Sequence, residues 1–366
     1  NRMHGIIFAY GQCPKLQTLV EQRVADSIPY AARYRIIDFM LSNMVNAGVT
    51  DVGVILQDKY QSMLDHLGSG KDWDLSRKHG GLRLLPSVPK SDPSRPFRGK
   101  MEALASVESY VQRIRQEYVV LANGALICNM PLGDVLEEHI RSGADITCVC
   151  APGNVAENPT TYMINEAGDV TDVVSRSAVT GGYSGLEVYI IGKKLLLELI
   201  AECDGHNEYS FHRAVLQSRR NRLKLHAYVF QGYAARIMSV AEYYARSMEL
   251  LNSSVRADLF IPERPIRTKD RSDASTYYGP KSHCINSLIS DGCIIEGEVV
   301  NSILFRGVHV EKGAKINGCI LMQDTVIHAG ATLRYAIADK NVTVNENRML
   351  MGHSSYPLAI SKFGVV

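Results

Sequence analysis

The hydrophobic pattern of this chain changes period once. From residue 1 to about 251, short apolar runs alternate with segments whose apolar positions recur at helical spacing. GIIFA, VGVIL, YVVLA, DITCVC and EVYIIG read as strands. IDFMLSNMVNAG, MEALASVESYVQRIRQE, PLGDVLEEHIRSG and SVAEYYARSMELL read as helices. This alternation predicts an α/β domain of βαβ units around a mostly parallel sheet. Ligands of such sheets sit beyond the carboxyl ends of the strands, so the loop after GIIFA is the first candidate site.

After about residue 280 the spacing becomes hexameric. In VVNSILFRGVHVEKGAKINGCILMQDTVIHAGATL, Val308, Ala314 and Ile320 stand six apart, as do Val310 and Ile316. Glycine, asparagine or a charged residue falls between them. Such a period predicts a β-helix whose stacked turns bury aliphatic columns, with an ordinary β-meander as the alternative. Between the two patterns, IPERPIRTKDRSDASTYYGPKS is rich in proline and charge and reads as an exposed connector. The expected division is therefore 1–251, a linker at 252–280, and a repeat domain at 281–366.

Composition narrows the function classes. A chain of 366 residues is long enough for two domains, and 46% apolar with 21% charged residues fits ordinary globular cores. A net charge of +2 gives no electrostatic ground for binding nucleic acid or a membrane. No apolar run approaches the ~18 residues of a membrane span, and the first residues lack a signal-peptide pattern. Asn1-Arg2 are expected to remain from trimming of a longer chain. The eight cysteines show no CxxC or Cys/His ligand spacing. They read as buried free thiols of a cytoplasmic protein, Cys148 and Cys150 sharing one sheet face.

The candidate loop poses a problem. GIIFAYGQCPKL carries the single glycine Gly11 where a phosphate cradle needs several. Tyr10 and Cys13 put side chains where backbone should approach phosphate, and Pro14 has no N–H to donate.

RYRIIDFMLSNMVNAGV (33–49) closely resembles a stretch of the ADP-glucose pyrophosphorylase (glucose-1-phosphate adenylyltransferase) family. HLGSGKDWDL (66–75), FRGKMEAL (97–104), HIRSGADIT (139–147) and the terminal hexads extend the resemblance over nearly the whole chain. It implies a Rossmann-like nucleotidyltransferase domain followed by a left-handed parallel β-helix. Active members join the α-phosphate of ATP to glucose 1-phosphate and release pyrophosphate. The protein must align two anions, neutralise them with Mg²⁺ and basic groups, and stabilise the leaving group.

The positions implied to do this are altered. The family's glycine-rich loop resembles Gly-Gly-x-Gly-Thr-Arg-Leu, and Tyr10 to Leu16 stand in its place, with arginine replaced by Lys15. Lysine keeps the charge but not the bidentate fork. In RVADSIP, Ala25 stands where the family has a phosphate-contacting lysine. LANGALIC puts Ala125 at the first metal aspartate, and YAARIMSVAEYY puts Arg236 at the second. A unit positive charge about 4 Å from a divalent ion swings an interaction of about 8 kcal/mol from attraction to repulsion at an effective dielectric near 20. The family's Glu-Lys-Pro on the sugar-phosphate side becomes Ser175-Arg176-Ser177.

The chain is accordingly identified as resembling the noncatalytic, GlgD-type subunit of this family. That resemblance implies no catalysis alone and a heterotetramer with a catalytic homologue, which would hold the Mg²⁺. Self-association is a further possibility. Arg23 and Arg35 match family positions implied to line a site for a sugar-phosphate or other anionic effector between the two domains, and Arg33 adds charge. The structural alternative has Arg35 paired with Asp38 along a helix.

Two other readings stay open. One is an active sugar-phosphate nucleotidyltransferase with a relocated metal site, drawing on Asp38, Asp145, Asp169 and Asp172. The other is a β-helix acyltransferase using His309 or His328. His66, His79 and His139 form no i,i+4 ligand pair, and Trp73 reads as a packing residue of its loop.

Overall fold

The computed structural model describes residues 2–177 and 179–366. They form two compact units whose segments interleave in sequence. The first runs from the N-terminus to Gly11 and adds Ile37–Arg236 and Phe260–Arg267; the second comprises Gln12–Ile36, Ile237–Leu259 and Thr268–Val366. This division differs from a single cut near residue 251. Long-range hydrogen bonds account for the difference, because periodicity cannot register them. Within the second unit Tyr243 donates to Pro29 O at 2.6 Å, Tyr30 to Arg246 O at 3.1 Å, and Tyr244 to Gly318 O at 2.6 Å. The stretch expected as a linker carries the helix Ser253–Leu259 and the first β-helix strand, Tyr277–Tyr278.

The first unit is built on a mixed sheet. Met3–Phe8 is flanked in parallel by Asp51–Leu56 and Tyr118–Asn123, and Gly81–Pro86 extends the parallel part. Tyr183–Gly192 then runs antiparallel to both Tyr118–Asn123 and Ile146–Ala151. The apolar runs form the strands because both faces are covered: Ile6, Ile7, Val54, Val120, Leu121 and Ile190 are fully buried. Each such side chain contributes about 1.5–3 kcal/mol relative to exposure. The helix Ile37–Asn46 buries Ile37 through Met44. Its Asn43 donates to Cys128 O at 3.0 Å and accepts from Met130 N at 3.1 Å, which fixes the short strand Leu126–Cys128 beside the helix. That strand pairs antiparallel with Ala234–Arg236.

The repeats of the second unit form three five-stranded parallel sheets. Their register stacks like on like. Ile295, Val310, Ile327 and Val344 form one inward column, and Val299, Ile316 and Leu333 another. All seven side chains are buried, as are Val308, Ala314 and Ile320. Left-handed backbone turns the corners, with φ of 43° at Asn286, 46° at Asn301, 57° at Asn341 and 56° at Asn347. Asparagine tolerates that region better than a branched residue, which explains its recurrence between the aliphatic positions.

Candidate functional site

The candidate loop leaves the sheet at Phe8. Gly11 adopts φ 134° with open space around a hypothetical Cβ, so glycine is required there by conformation alone. Tyr10 packs edge-on against Phe97, ring centroids 4.9 Å apart, and against Phe8 at 6.2 Å. Burial, reinforced by the charges of Glu187 and Glu102, raises its phenol pKa. A half-buried aromatic ring therefore stands where a phosphate cradle would present backbone.

Ala125 and Arg236 lie close together, since Arg236 pairs with Leu126 across the two short strands. Arg236 Nη1 donates to Glu187 Oε1 at 2.8 Å, and Lys100 Nζ donates to Glu187 Oε2 at 2.6 Å. Asn123 Nδ2 adds a bond to Oε2 at 3.1 Å, while its Oδ1 accepts from Ala125 N at 2.8 Å. His212 Nε2 lies 3.7 Å from Oε1. The three charged side chains are only 13–16% exposed. Burial works against ionisation of Glu187, but Arg236 and then Lys100 hold its carboxyl well below the usual range.

Glu187 has φ 56° at a register shift in the strand Tyr183–Gly192. Left-handed backbone at a non-glycine residue stores strain, and the ion pairs over-determine the conformation. The knot thus uses an arginine and a lysine where a metal site would gather oxygen ligands. The residues do not fit Mg²⁺: Ala125 offers a methyl group, and Arg236 brings a cation. Among the described residues, no group of three or more His, Cys, Asp or Glu is arranged to hold a metal ion.

The carboxylates considered for a relocated metal site are engaged separately. Buried Asp38 lies 2.5 Å from His66 Nε2, and Asp145 accepts from Lys224 N at 2.7 Å. Asp169 meets His226 Nδ1 at 3.0 Å, and Asp172 meets Arg220 at 2.7 Å. His309 and His328 face Glu296 and Glu311, at 3.6 and 3.1 Å. Trp73 is fully buried against the His66 ring. Ser175 to Ser177 form a turn tied by Ser177 N to Pro159 O. Most cysteines are buried, and burial pushes the Cys150 thiol up to about 12. Cys284 departs from that expectation because it lies on the first turn of the β-helix and is exposed.

Lys15, Ala25, Arg23 and Arg35 all belong to the second unit. Lys15 is exposed on the short helical segment Pro14–Val20, and Ala25 is buried. Arg23 is buried, donates through Nε to Leu19 O at 3.1 Å, and forms an ion pair with buried Asp339. Arg35 ends a two-residue strand paired with Pro29–Tyr30. The charges of Arg35, Arg23 and Lys362 all act on Lys340, in the turn after Ala336–Ala338. Burial first, then these three cations, lower the Lys340 amine to about 6 against the opposing pull of Asp339.

Sequence reading missed Glu187, Lys100, His212, Lys340 and Lys362. Glu187 left a trace as an ionisable residue at the head of the apolar run EVYIIG. The two lysines of the second unit left none, because isolated lysines at repeat corners are ordinary.

A nucleotidyltransferase-type sheet with a closed ionic knot, followed by a hexapeptide β-helix, defines the class. Residues 4–175 match the nucleotidyl transferase family, and residues 274–355 match the GlmU-like C-terminal hexapeptide family. The glycogen biosynthesis protein GlgD of Bacillus subtilis (strain 168) is 36% identical over 364 residues, 99% of this chain and 96% of that protein. GlgD of Geobacillus stearothermophilus is 37% identical over 86% of this chain and 83% of its own length. The glucose-1-phosphate adenylyltransferase of Acetivibrio thermocellus is 29% identical over 95% of this chain and 84% of its own length. The chain belongs to the nucleotidyltransferase family, in the branch that joins GlgD glycogen biosynthesis proteins to glucose-1-phosphate adenylyltransferases.

Proposed function

We propose that this chain is a noncatalytic regulatory subunit of glucose-1-phosphate adenylyltransferase, acting in ADP-glucose synthesis for glycogen. The observation that carries the reading is the Glu187 knot. Arg236 and Lys100 are bound to the largely buried carboxylate of Glu187, beside the two positions that the resemblance implies hold a metal ion in active members. The likeness to two GlgD proteins over most of the chain supports the same conclusion.

The partner is a catalytic homologue, and the assembly is a heterotetramer in which that homologue holds the Mg²⁺. A subunit need not bind substrate to act in this way. Its interface has only to fit the active conformer of its neighbour better than the inactive one. No helix of the described residues is long and apolar enough to cross a membrane. Arg23 and Arg35, with Lys362, supply positive charge for a phosphate-bearing effector.

Co-expression with the catalytic homologue of the same organism tests the reading. The expected result is a mixed tetramer by native mass measurement, with higher activity than the homologue alone. The isolated chain should release no pyrophosphate from ATP, glucose 1-phosphate and Mg²⁺ above an enzyme-free blank. Turnover by the isolated chain that survives repurification, or failure of the two chains to associate, would overturn it.

A further inference from the structure

The first unit carries a cleft of about 460 Å³ at the end of its sheet away from the Glu187 knot. The strand Tyr118–Asn123 spans the distance between the two. Tyr118 lines the cleft, and Asn123 bonds Glu187 about 17 Å further along an extended strand. One wall is the end of the helix Leu132–Ser142 with the turn after it, and the other is the start of the helix Lys193–Gly205. The cleft shares no residue with the knot.

His139 is the buried polar side chain of this cleft. It is 3% exposed, its Nδ1 lies 2.8 Å from Thr147 Oγ1, and the Tyr118 ring meets it edge-on at 5.4 Å. These two neighbours hold the imidazole, and among the described residues its Nε2 has no hydrogen-bond partner. Burial lowers the imidazole pKa against the opposing charge of Asp145, so the ring is neutral at pH 7. Nε2 is the polar atom that this side chain has left for a ligand.

The other polar groups decide what kind of ligand fits. Asp145 takes Lys224 N through Oδ2 and keeps Oδ1 free. Lys194 and Glu198 stand one helical turn apart, both exposed, and form no ion pair among the described residues. Two carboxylates against one ammonium disfavour a phosphate or carboxylate ligand. Ile140, 40% exposed, and Leu195 add apolar surface to the walls. Acceptors, donors and apolar contacts in one cleft suit a neutral polyhydroxylated molecule. Its hydroxyl groups donate to the carboxylates, and its C–H faces cover the apolar side chains. Gly143, Lys194 and Glu198 are exposed at the walls, so a chain longer than the cleft can pass through it.

We propose that this cleft binds a stretch of neutral α-glucan chain, whose hydroxyl groups bond to Asp145, Lys194, Glu198 and His139 Nε2. The choice of a glucan rests on the glycogen-synthesis reading above. Such a contact holds a subunit of ADP-glucose synthesis beside the polymer that its product extends.

Native electrophoresis of the full chain through gels containing glycogen tests this. The chain should migrate more slowly than in glycogen-free gels, and soluble maltoheptaose should restore its mobility. Calorimetry with maltoheptaose reads the affinity. Lys194→Ala combined with Glu198→Ala should weaken it about tenfold, for two lost hydrogen bonds. Both residues are exposed, so that variant should keep the circular dichroism of the parent. Unchanged mobility in glycogen, or equal affinity in the double variant, would overturn the proposal. Equal binding of the β-linked cellohexaose would overturn its assignment to an α-glucan. The two readings fail separately. A chain that activates its catalytic homologue yet ignores glycogen removes this proposal alone. A chain that binds maltoheptaose through these side chains but does not associate with the homologue supports the cleft and removes the subunit reading.

Discussion

Two cation-rich clusters in this molecule differ in how their charge is answered. In the first unit, Arg236 and Lys100 share the buried carboxylate of Glu187, with Asn123 completing its hydrogen bonds. In the second, Arg23 takes Asp339, while the charges of Arg35 and Lys362 still bear on Lys340. The first cluster is closed by an anion that belongs to the chain. In the second, the buried carboxylate holds one guanidinium, and burial with three neighbouring cations lowers the Lys340 amine. Basic residues alone therefore do not make an anion site; the placement of the counter-ion decides it.

The comparison breaks most directly at Glu187. Glu187→Ala should strand Arg236 and Lys100 in a largely buried position, costing about 3–5 kcal/mol of stability. Release of the φ 56° strain would offset part of that loss. Urea unfolding followed by circular dichroism measures the difference. Addition of phosphate should restore part of the stability of Glu187→Ala by supplying the missing anion. A variant as stable as the parent would show that the knot does not hold the site closed.

A second experiment converts the first cluster rather than opening it. Ala125→Asp alone should gain little Mg²⁺ affinity, because the new carboxylate meets Arg236. Ala125→Asp combined with Arg236→Asp places two further carboxylates near Glu187, leaving Lys100 as its cation. That pair should bind Mg²⁺ about a hundredfold more tightly than the parent, about 2.7 kcal/mol. Equal affinities by calorimetry would mean that these two positions do not face a common metal site.

Much of this contrast was legible in the sequence, but unevenly. The strands and β-helix columns were readable because burial imposes a period on the chain. Ala125 and Arg236 stood out because their residue types cannot serve a metal. Glu187 did not, since its role depends on a local bulge and on Lys100, far away in sequence. The interleaving of residues 12–36 with the repeats was equally invisible. It rests on bonds such as Tyr243 to Pro29 and Arg23 to Asp339, which leave no periodic trace.

At the second cluster, Arg35→Ala should weaken inorganic phosphate binding by about thirtyfold, about 2 kcal/mol for a charged hydrogen-bonding partner. Assembly with the catalytic homologue should persist, and the effector response of the mixed enzyme should flatten. Sedimentation and activation curves read the two effects separately. An unchanged activation curve would confine Arg35 to holding its short strand against Pro29–Tyr30.

The smallest expected effect is a pH slope, and it isolates Lys340. Its folded pKa is lowered to about 6, whereas an unfolded lysine titrates near 10.4. Between those values the unfolded chain holds a proton that the folded chain lacks, so stability rises with pH. The contribution is complete above the unfolded value and is lost as pH falls toward 6; below 6 it is flat. One proton gives a slope of at most about 1.4 kcal/mol per pH unit, so stability should gain about 1 kcal/mol between pH 7 and 8. That window avoids His4, which burial lowers to about 4 and whose linked loss therefore falls below pH 6.5. Lys340→Gln should remove the slope while leaving the Arg23–Asp339 pair intact. If urea midpoints of the parent and this variant move in parallel from pH 7 to 8, the Lys340 amine is not held neutral. The second cluster would then be closed by its own counter-charge, as the first one is.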